Sequence, residues 1–264
     1  MPPARRRPRT YDSEKIRAAV LAQFARVREA VEPLTPEQLA RPTRLGEWTV
    51  RELTAHLSMV LGTLAHNLTL PEPPKAELTL AEWPFRTAGA AAAVDEDTRE
   101  LAAAEGDPAA LLARTAAHIG AVLPAASDDR LVPTRFGAMR LGDFLVTRAL
   151  EMTVHTDDLN DATGLEIPYE PGALAACTRM LADTLALKAP GGSVEVRIPP
   201  YAVVQCAEGP RHTRGTPPNV VETDPLTWVR LATGRLGWAE ALDRAEVSAS
   251  GDRADLAPLL PLLG

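Results

Sequence analysis

Glu151, His155 and Asp158 stand four and then three residues apart in the stretch Arg148-Ala149-Leu150-Glu151-Met152-Thr153-Val154-His155-Thr156-Asp157-Asp158. If the stretch is helical, all three lie on one stripe, each a turn beyond the last. A carboxylate and an imidazole at that spacing can ligate one metal ion from a single helix. They can equally form a salt-bridged surface stripe. A third ligand on a different element separates these readings, so the rest of the chain is read for one.

Thr49-Val50-Arg51-Glu52 has the form of a capping box. The helix it opens runs to about Leu68, with Val50, Leu53, Leu57, Val60, Leu61 and Leu64 on its apolar face. His56 falls about 60° from Leu53 on the helical wheel, at the edge of that face and pointing inward. It is either a hydrogen-bonded, semi-buried histidine or a ligand. His66 falls on the opposite side and reads as solvated. His118 lies near the inward side of a later helix, as an extra ligand or a polar residue at the core edge. Two imidazoles and a carboxylate suit Zn²⁺ with a fourth position open, and they also suit Fe, Ni or Co. A buried Glu151 without a partner is costly, which favours a site.

The elements around these residues form two groups. Asp12 or Ser13 caps a first helix whose apolar face is Ile16, Val20, Phe24, Val27 and Val31. Thr35-Pro36-Glu37-Gln38 opens a short second one. Leu70 to Pro84 is a proline-rich loop, with Trp83 and Phe85 expected to pack its end back onto the body. Helices are expected from Thr87 to Glu105 and from Asp107-Pro108 to about Leu123. Leu131 to Leu141 reads as a short hairpin or extended loop. The helix carrying Glu151 runs from about Leu141 to Ala162 and stops near Gly164. Four main helices with short connections make a bundle pattern.

After about Pro168 the pattern becomes α+β. A helix is expected from Pro171 to Lys188, and strands at 193–198, 201–206, 219–223 and 246–250. Short helices follow Asp224-Pro225 and Leu236. An amphipathic helix from Asp252 to Leu263 is expected to close the chain.

Composition narrows the classes. The 264 residues carry a net charge of −7 with 45 % hydrophobic and 24 % charged residues, as in a globular protein. No apolar run approaches the roughly 18 residues that span a bilayer. Residues 1–10 are basic and proline-rich and read as a disordered tail, not a secretory signal. The acidic balance argues against nucleic acid as a main partner. Cys177 and Cys206 make neither a disulfide framework nor a metal cage, which suits a reducing cytoplasm. Cys177 sits at apolar helical spacing and reads as core. His212 lies in a basic turn that is either solvated or meets an anion. No nucleophile elbow, P-loop or dinucleotide fingerprint is present.

Leu45-Gly46-Glu47-Trp48-Thr49-Val50-Arg51-Glu52-Leu53-Thr54-Ala55-His56-Leu57 resembles the start of the N-terminal domain of mycothiol-dependent maleylpyruvate isomerases, a branch of the DinB-like bundles. Glu151 to Leu159 resembles that family's "E-x-x-x-H-x-x-D-L". The resemblance implies a DinB-like four-helix bundle over 11–167. The segment from Thr216 to Arg235 resembles the C-terminal domain of the sterol carrier family, implying a smaller sterol-carrier-like α+β domain over 168–264. The isomerase resemblance also implies that His56, Glu151 and His155 bind a divalent metal, usually zinc. Asp158 matches as well, and either orients a ligand from behind or caps the helix or loop. The family's isomerase uses an arginine of its C-terminal domain near the metal. Arg235 and Arg214 are the candidates, with a surface role as the alternative for both.

The expected function is therefore a metal-dependent thiol enzyme. Zn²⁺ or another divalent metal holds a thiol such as mycothiol. The thiol meets a small electrophilic substrate in the interdomain cleft, and the outcome is S-transfer or isomerisation. The alternatives are metal-dependent hydrolysis and a non-enzymatic small-molecule or lipid carrier with a structural or vestigial metal site. Expected partners are a small molecule, no nucleic acid and no membrane insertion, in a monomer or homodimer.

Overall fold

The computed structural model describes residues 9–210 and 217–263. Helix α1 (Ser13–Val31) is capped by Asp12, whose carboxylate accepts from the Lys15 N–H at 3.2 Å. The short α2 (Pro36–Leu39) has a full capping box between Thr35 and Gln38. At the start of α3 (Val50–Asn67), Glu52 accepts from the Thr49 N–H at 2.8 Å and from the Thr49 hydroxyl. Then come α4 (Ala91–Ala104), α5 (Pro108–Val122), the small antiparallel pair β1 (Leu131–Val132) and β2 (Met139–Arg140), and α6 (Leu141–Thr163). Gly164 ends α6 with φ +74°, a left-handed cap that a residue with a Cβ adopts at a cost.

Helices α1, α3, α5 and α6 form the bundle. α6 packs on α1 and α3, α5 packs on α3 and α1, and α4 lies against α3. Their facing stripes bury Phe24, Leu53, Leu57, Leu61, Leu112, Leu145 and Met152. Each such side chain contributes about 1.5–3 kcal/mol on burial. α6 has little amphipathic contrast because it is enclosed on nearly every side, down to Thr153, Thr156, Asp157 and Asp158. A helix in that position presents its polar side chains to protein, not water.

The second half begins with α7 (Pro171–Lys188), which packs on α6 and α1 as well as on its own half. It continues with β3 (Val194–Ile198), β4 (Ala202–Cys206), β5 (Val220–Thr223), α8 (Pro225–Ala232), α9 (Trp238–Asp243) and β6 (Val247–Ser250). The sheet order is β4-β3-β5-β6, with β3 and β5 parallel and the other pairs antiparallel. Val194, Val196 and Ile198 alternate inward along β3, as a half-buried strand requires. One apolar core runs from α1 through α6 and α7 to Trp228 of α8. The N-terminal helical and C-terminal α+β halves are thus packed into one body.

Four expectations are corrected. The closing stretch forms a single 3-10 turn, Ala257–Leu259, in place of a helix over Asp252–Leu263. Pro258 and Pro261 deny it backbone donors and clash with preceding carbonyls. The helix expected from Thr87 begins as a 3-10 turn at Ala88–Ala90 and becomes α4 at Ala91. Phe85 is half exposed, whereas Trp83 is buried and packs against Phe136. His118 is exposed. Leu111, two turns earlier on the same stripe, is buried with Ala55 of α3 and Ala102 of α4. No helix among the described residues is long and apolar enough to cross a membrane.

Candidate functional site

His56 comes from α3, and Glu151 and His155 come from α6, where the two helices pack together. Glu151 Oε2 lies 3.4 Å from His56 Nε2 and 3.4 Å from His155 Nε2. The two imidazole rings meet edge to face at 4.6 Å. One ligand atom from each of the three residues lies within 4.8 Å of the others. Side-chain exposures of 11 %, 22 % and 12 % leave the corner open to small molecules.

A separation of 3.4 Å is long for a hydrogen bond. It is the ligand–ligand spacing of a tetrahedral site, since bonds of about 2.1 Å at the tetrahedral angle place donor atoms about 3.4 Å apart. The donor set of two nitrogens and one oxygen therefore fits a divalent metal with a further position free. His56 Nδ1 is buried with no hydrogen-bond partner, so only the Nε2 side of that ring faces a polar group. Its ring lies against Trp48 at 5.2 Å.

His155 is held from behind. Its Nδ1 lies 2.8 Å from Asp158 Oδ2, which assigns the proton to Nδ1 and turns the Nε2 lone pair toward Glu151. Asp158 is fully buried and is gripped by both halves of the chain. Arg44 Nε donates to it at 2.6 Å, and Arg235 donates through Nε at 3.1 Å and Nη2 at 2.9 Å. Arg235 Nη1 donates to the Thr233 carbonyl at 2.8 Å. Next to it, Asp157 accepts from Arg44 at 2.5 Å, from Arg230 at 2.6 Å and from the Tyr169 hydroxyl at 2.6 Å.

These surroundings set the charges. Burial pushes Glu151 up, but the two imidazoles and Arg148 hold its carboxylate well below the usual range. Burial pushes His56 down, so it is neutral. Burial also pulls on His155, but its bonds to Asp158 and Glu151 override this and raise it. A metal held through Nε2 would need that nitrogen unprotonated, with the ring's one proton on Nδ1 toward Asp158.

A cavity of about 230 Å³ opens on the corner, with Trp83, Leu150, Glu151, Val154, His155 and Arg235 in its wall. A second, polar cavity of about 420 Å³ lies between the end of α6 and the α8–α9 region, and Arg235 borders both. Among the residues expected from the sequence, His56, Glu151, His155, Asp158 and Arg235 are brought together. Arg214 and His212 lie outside the described residues. His66 and His118 are exposed and stand apart from the corner. Cys177 is buried in α7, with its thiol pushed up to about 12 by burial.

Arg44, Asp157, Arg230 and Arg148 were not singled out in the sequence. The tandem Asp157-Asp158 carried a signal, since two adjacent acids on a buried helix need cations. Arg148 sits over the Phe144 ring at 4.5 Å and near the Trp83 ring at 6.0 Å, close enough to act on Glu151 and His56.

Comparison with known proteins follows this geometry. Residues 20–160 match the family described as the mycothiol maleylpyruvate isomerase N-terminal domain. Residues 171–262 match the family described as bacterial SCP ortholog. Two similar solved structures are the mycothiol-dependent maleylpyruvate isomerase and a histidine-to-alanine mutant of it. Each has a TM-score of 0.60 and 16 % identity, with 93 % of this chain and 95 % of that chain covered. That likeness shows the fold. No curated protein matches the chain. With more than half of its length inside the first match, the chain belongs to the mycothiol maleylpyruvate isomerase N-terminal domain family, followed by a bacterial SCP ortholog domain.

Proposed function

We propose that the chain is a divalent-metal-dependent enzyme acting through a low-molecular-weight thiol of the mycothiol type. It is an S-transferase or isomerase for a small electrophile. The observation that carries this reading is the convergence of His56 Nε2, Glu151 Oε2 and His155 Nε2 at ligand spacing beside a cavity. His56, Glu151 and His155 are the residues to hold the metal. A bound divalent cation supplies Lewis acidity that lowers the pKa of a thiol. The thiol itself is inferred from the printed name of the similar isomerase, which is mycothiol-dependent.

The chain's own residues have separate tasks. Asp158 fixes the ring of His155 and its protonated nitrogen. Trp83, Leu150 and Val154 form an apolar wall of the cavity beside the corner. Arg235 has all three of its nitrogens engaged by Asp158 and Thr233. We read it as a positioning residue for Asp158 at the border of the two cavities, not as a free receptor for a substrate carboxylate.

The carrier alternative called for an apolar tunnel within residues 190–264. Both cavities described above border the bundle as well as the second half, which supports catalysis at their junction. We place the border between the halves at 168 and the protein in the reducing cytoplasm, as a monomer or homodimer. Metal analysis combined with a thiol assay tests the proposal. About one divalent ion per chain is expected, with consumption of an electrophile that depends on added thiol. Protein that binds no divalent metal overturns the reading, and turnover with water that ignores thiol replaces it with hydrolysis.

A further inference from the structure

The cavity that opens on the corner is walled from both halves of the chain. Trp83, Ala88 and Ala91 come from the segment leading into α4, Leu150 and Val154 from α6, and Leu263 from the stretch after β6. Leu263 is strapped in place. Its N–H and that of Leu262 both donate to the Ala232 carbonyl, at 3.2 and 2.8 Å. Lys188 Nζ donates to the Leu259 and Pro261 carbonyls at 3.0 and 2.9 Å. These bonds fix the apolar wall within the fold itself.

The polar groups of this wall are already engaged. The Thr87 hydroxyl donates to the Pro84 carbonyl, and the Thr233 hydroxyl donates to that of Val229. Arg235 is the one arginine or lysine among the described residues that line the cavity, and all three of its nitrogens are taken by Asp158 and Thr233. Arg148 is not a lining residue, and its guanidinium lies on the Phe144 and Trp83 rings. The side-chain donor left without a partner is Trp83 Nε1, a neutral N–H. A carboxylate placed here loses water, gains no free cation and meets the charge of Glu151. With a divalent ion and a thiolate at the corner, Glu151 and the sulfur cancel the metal's charge, so no net positive charge is left to draw an anion. An apolar body has the opposite balance. A cavity of roughly 150 Å³ with aliphatic walls takes up benzene, and about 230 Å³ admits one substituted ring.

We propose that the electrophile is an uncharged, largely apolar molecule of about one ring, seated against Trp83, Leu150, Val154 and Leu263, and that carboxylate-bearing electrophiles are excluded. The inference rests on the thiol reading above and names the substrate class of that same site.

Calorimetry with two isosteric probes, 2,4-dinitrotoluene and 2,4-dinitrobenzoate, tests it. Both are titrated into metal-free protein and into Zn²⁺-loaded protein saturated with 2-mercaptoethanol. Saturable binding of dinitrotoluene is expected in both forms, with dinitrobenzoate weaker by about tenfold or more. Leu263→Arg, which adds a cation to the wall, is expected to bring dinitrobenzoate up to the level of dinitrotoluene. Ala91→Phe fills the exposed mouth and is expected to weaken dinitrotoluene, with melting temperature as the fold control for both variants. Dinitrobenzoate bound by the wild type as tightly as dinitrotoluene or tighter, no saturable binding of dinitrotoluene, or binding of both probes unchanged in both variants overturns the inference. The thiol reading has its own readout in the thiolate absorption of the Co²⁺-loaded protein with 2-mercaptoethanol. Absence of that band sinks the thiol reading, while the titrations of metal-free protein still judge the cavity.

Discussion

Helix α6 carries two acidic sites within two turns of each other, and their surroundings are opposite. Glu151 faces two imidazole nitrogens at 3.4 Å, too far for good hydrogen bonds. Asp157 and Asp158 meet guanidinium nitrogens at 2.5–3.1 Å and form closed ion pairs. A buried carboxylate must have a cation. Arginines meet that need permanently at Asp157 and Asp158. At Glu151 the donor atoms are spaced for a shared cation, which the proposed function supplies as a bound metal. The first arrangement holds the molecule together, and the second makes a site.

The contrast can be broken by single substitutions. In Glu151→Gln and His155→Ala, metal content is expected to fall from about one ion per chain to background with the fold retained, as read by elemental analysis and circular dichroism. Wild-type metal content in either variant removes Glu151 and His155 from the receiving side. Asp158→Asn belongs to both sides. Its expected result is a loss of about 10–100-fold in metal affinity together with about 3–5 kcal/mol of stability, because Arg44 and Arg235 lose their buried partner. Chelator competition and urea unfolding measure the two parts. Asp157→Asn is expected to lower stability by about 3 kcal/mol and leave metal affinity unchanged. Equal damage to metal binding by both aspartate variants would collapse the distinction.

Cys177 sharpens the comparison from a third direction, as an acid on the neighbouring helix with no cation at all. Burial chiefly, with the Glu151 charge adding to it, pushes it up to about 12 from a usual value of 9.0, and burial pushes Cys206 up to about 11. As the pH rises past 9, the unfolded thiols ionise before the folded ones, so the unfolded chain binds fewer protons and stability falls. Each buried thiol contributes a loss of about 1.4 kcal/mol per pH unit in that window. Denaturation midpoints at pH 8 and 10, compared between wild type and Cys177→Ala, check it. A wild-type midpoint that does not fall, or a fall no smaller in Cys177→Ala, counts against the assignment.

Much of this was legible in the chain because it is local. The limits of α7 and the inward alternation of β3 follow from spacing and punctuation. The wheel position of His56 put it at the edge of the buried face, where it lies. The Asp158–Arg44 pair joins residues 114 apart and exists only once the bundle is packed, and the Asp157–Arg230 pair joins residues 73 apart and exists only once the two halves are packed. His118 failed for a related reason, since whether a helix face is covered depends on which elements pack against it. The closing helix failed locally. Apolar spacing outweighed Pro258 and Pro261 in the reading, and the backbone obeys the prolines.

Asp158 takes Arg44 from the segment before α3 and Arg235 from the turn after α8, and through them it aims His155. This sets an order of maturation. During synthesis the bundle leaves the ribosome with His56, Glu151 and His155 already in hand, but Arg235 arrives 77 residues after Asp158. Until α8 docks, Asp158 has Arg44 but not Arg235 to hold it behind His155. A chain cut short in its second half retains every donor atom but lacks the two Arg235 bonds to Asp158.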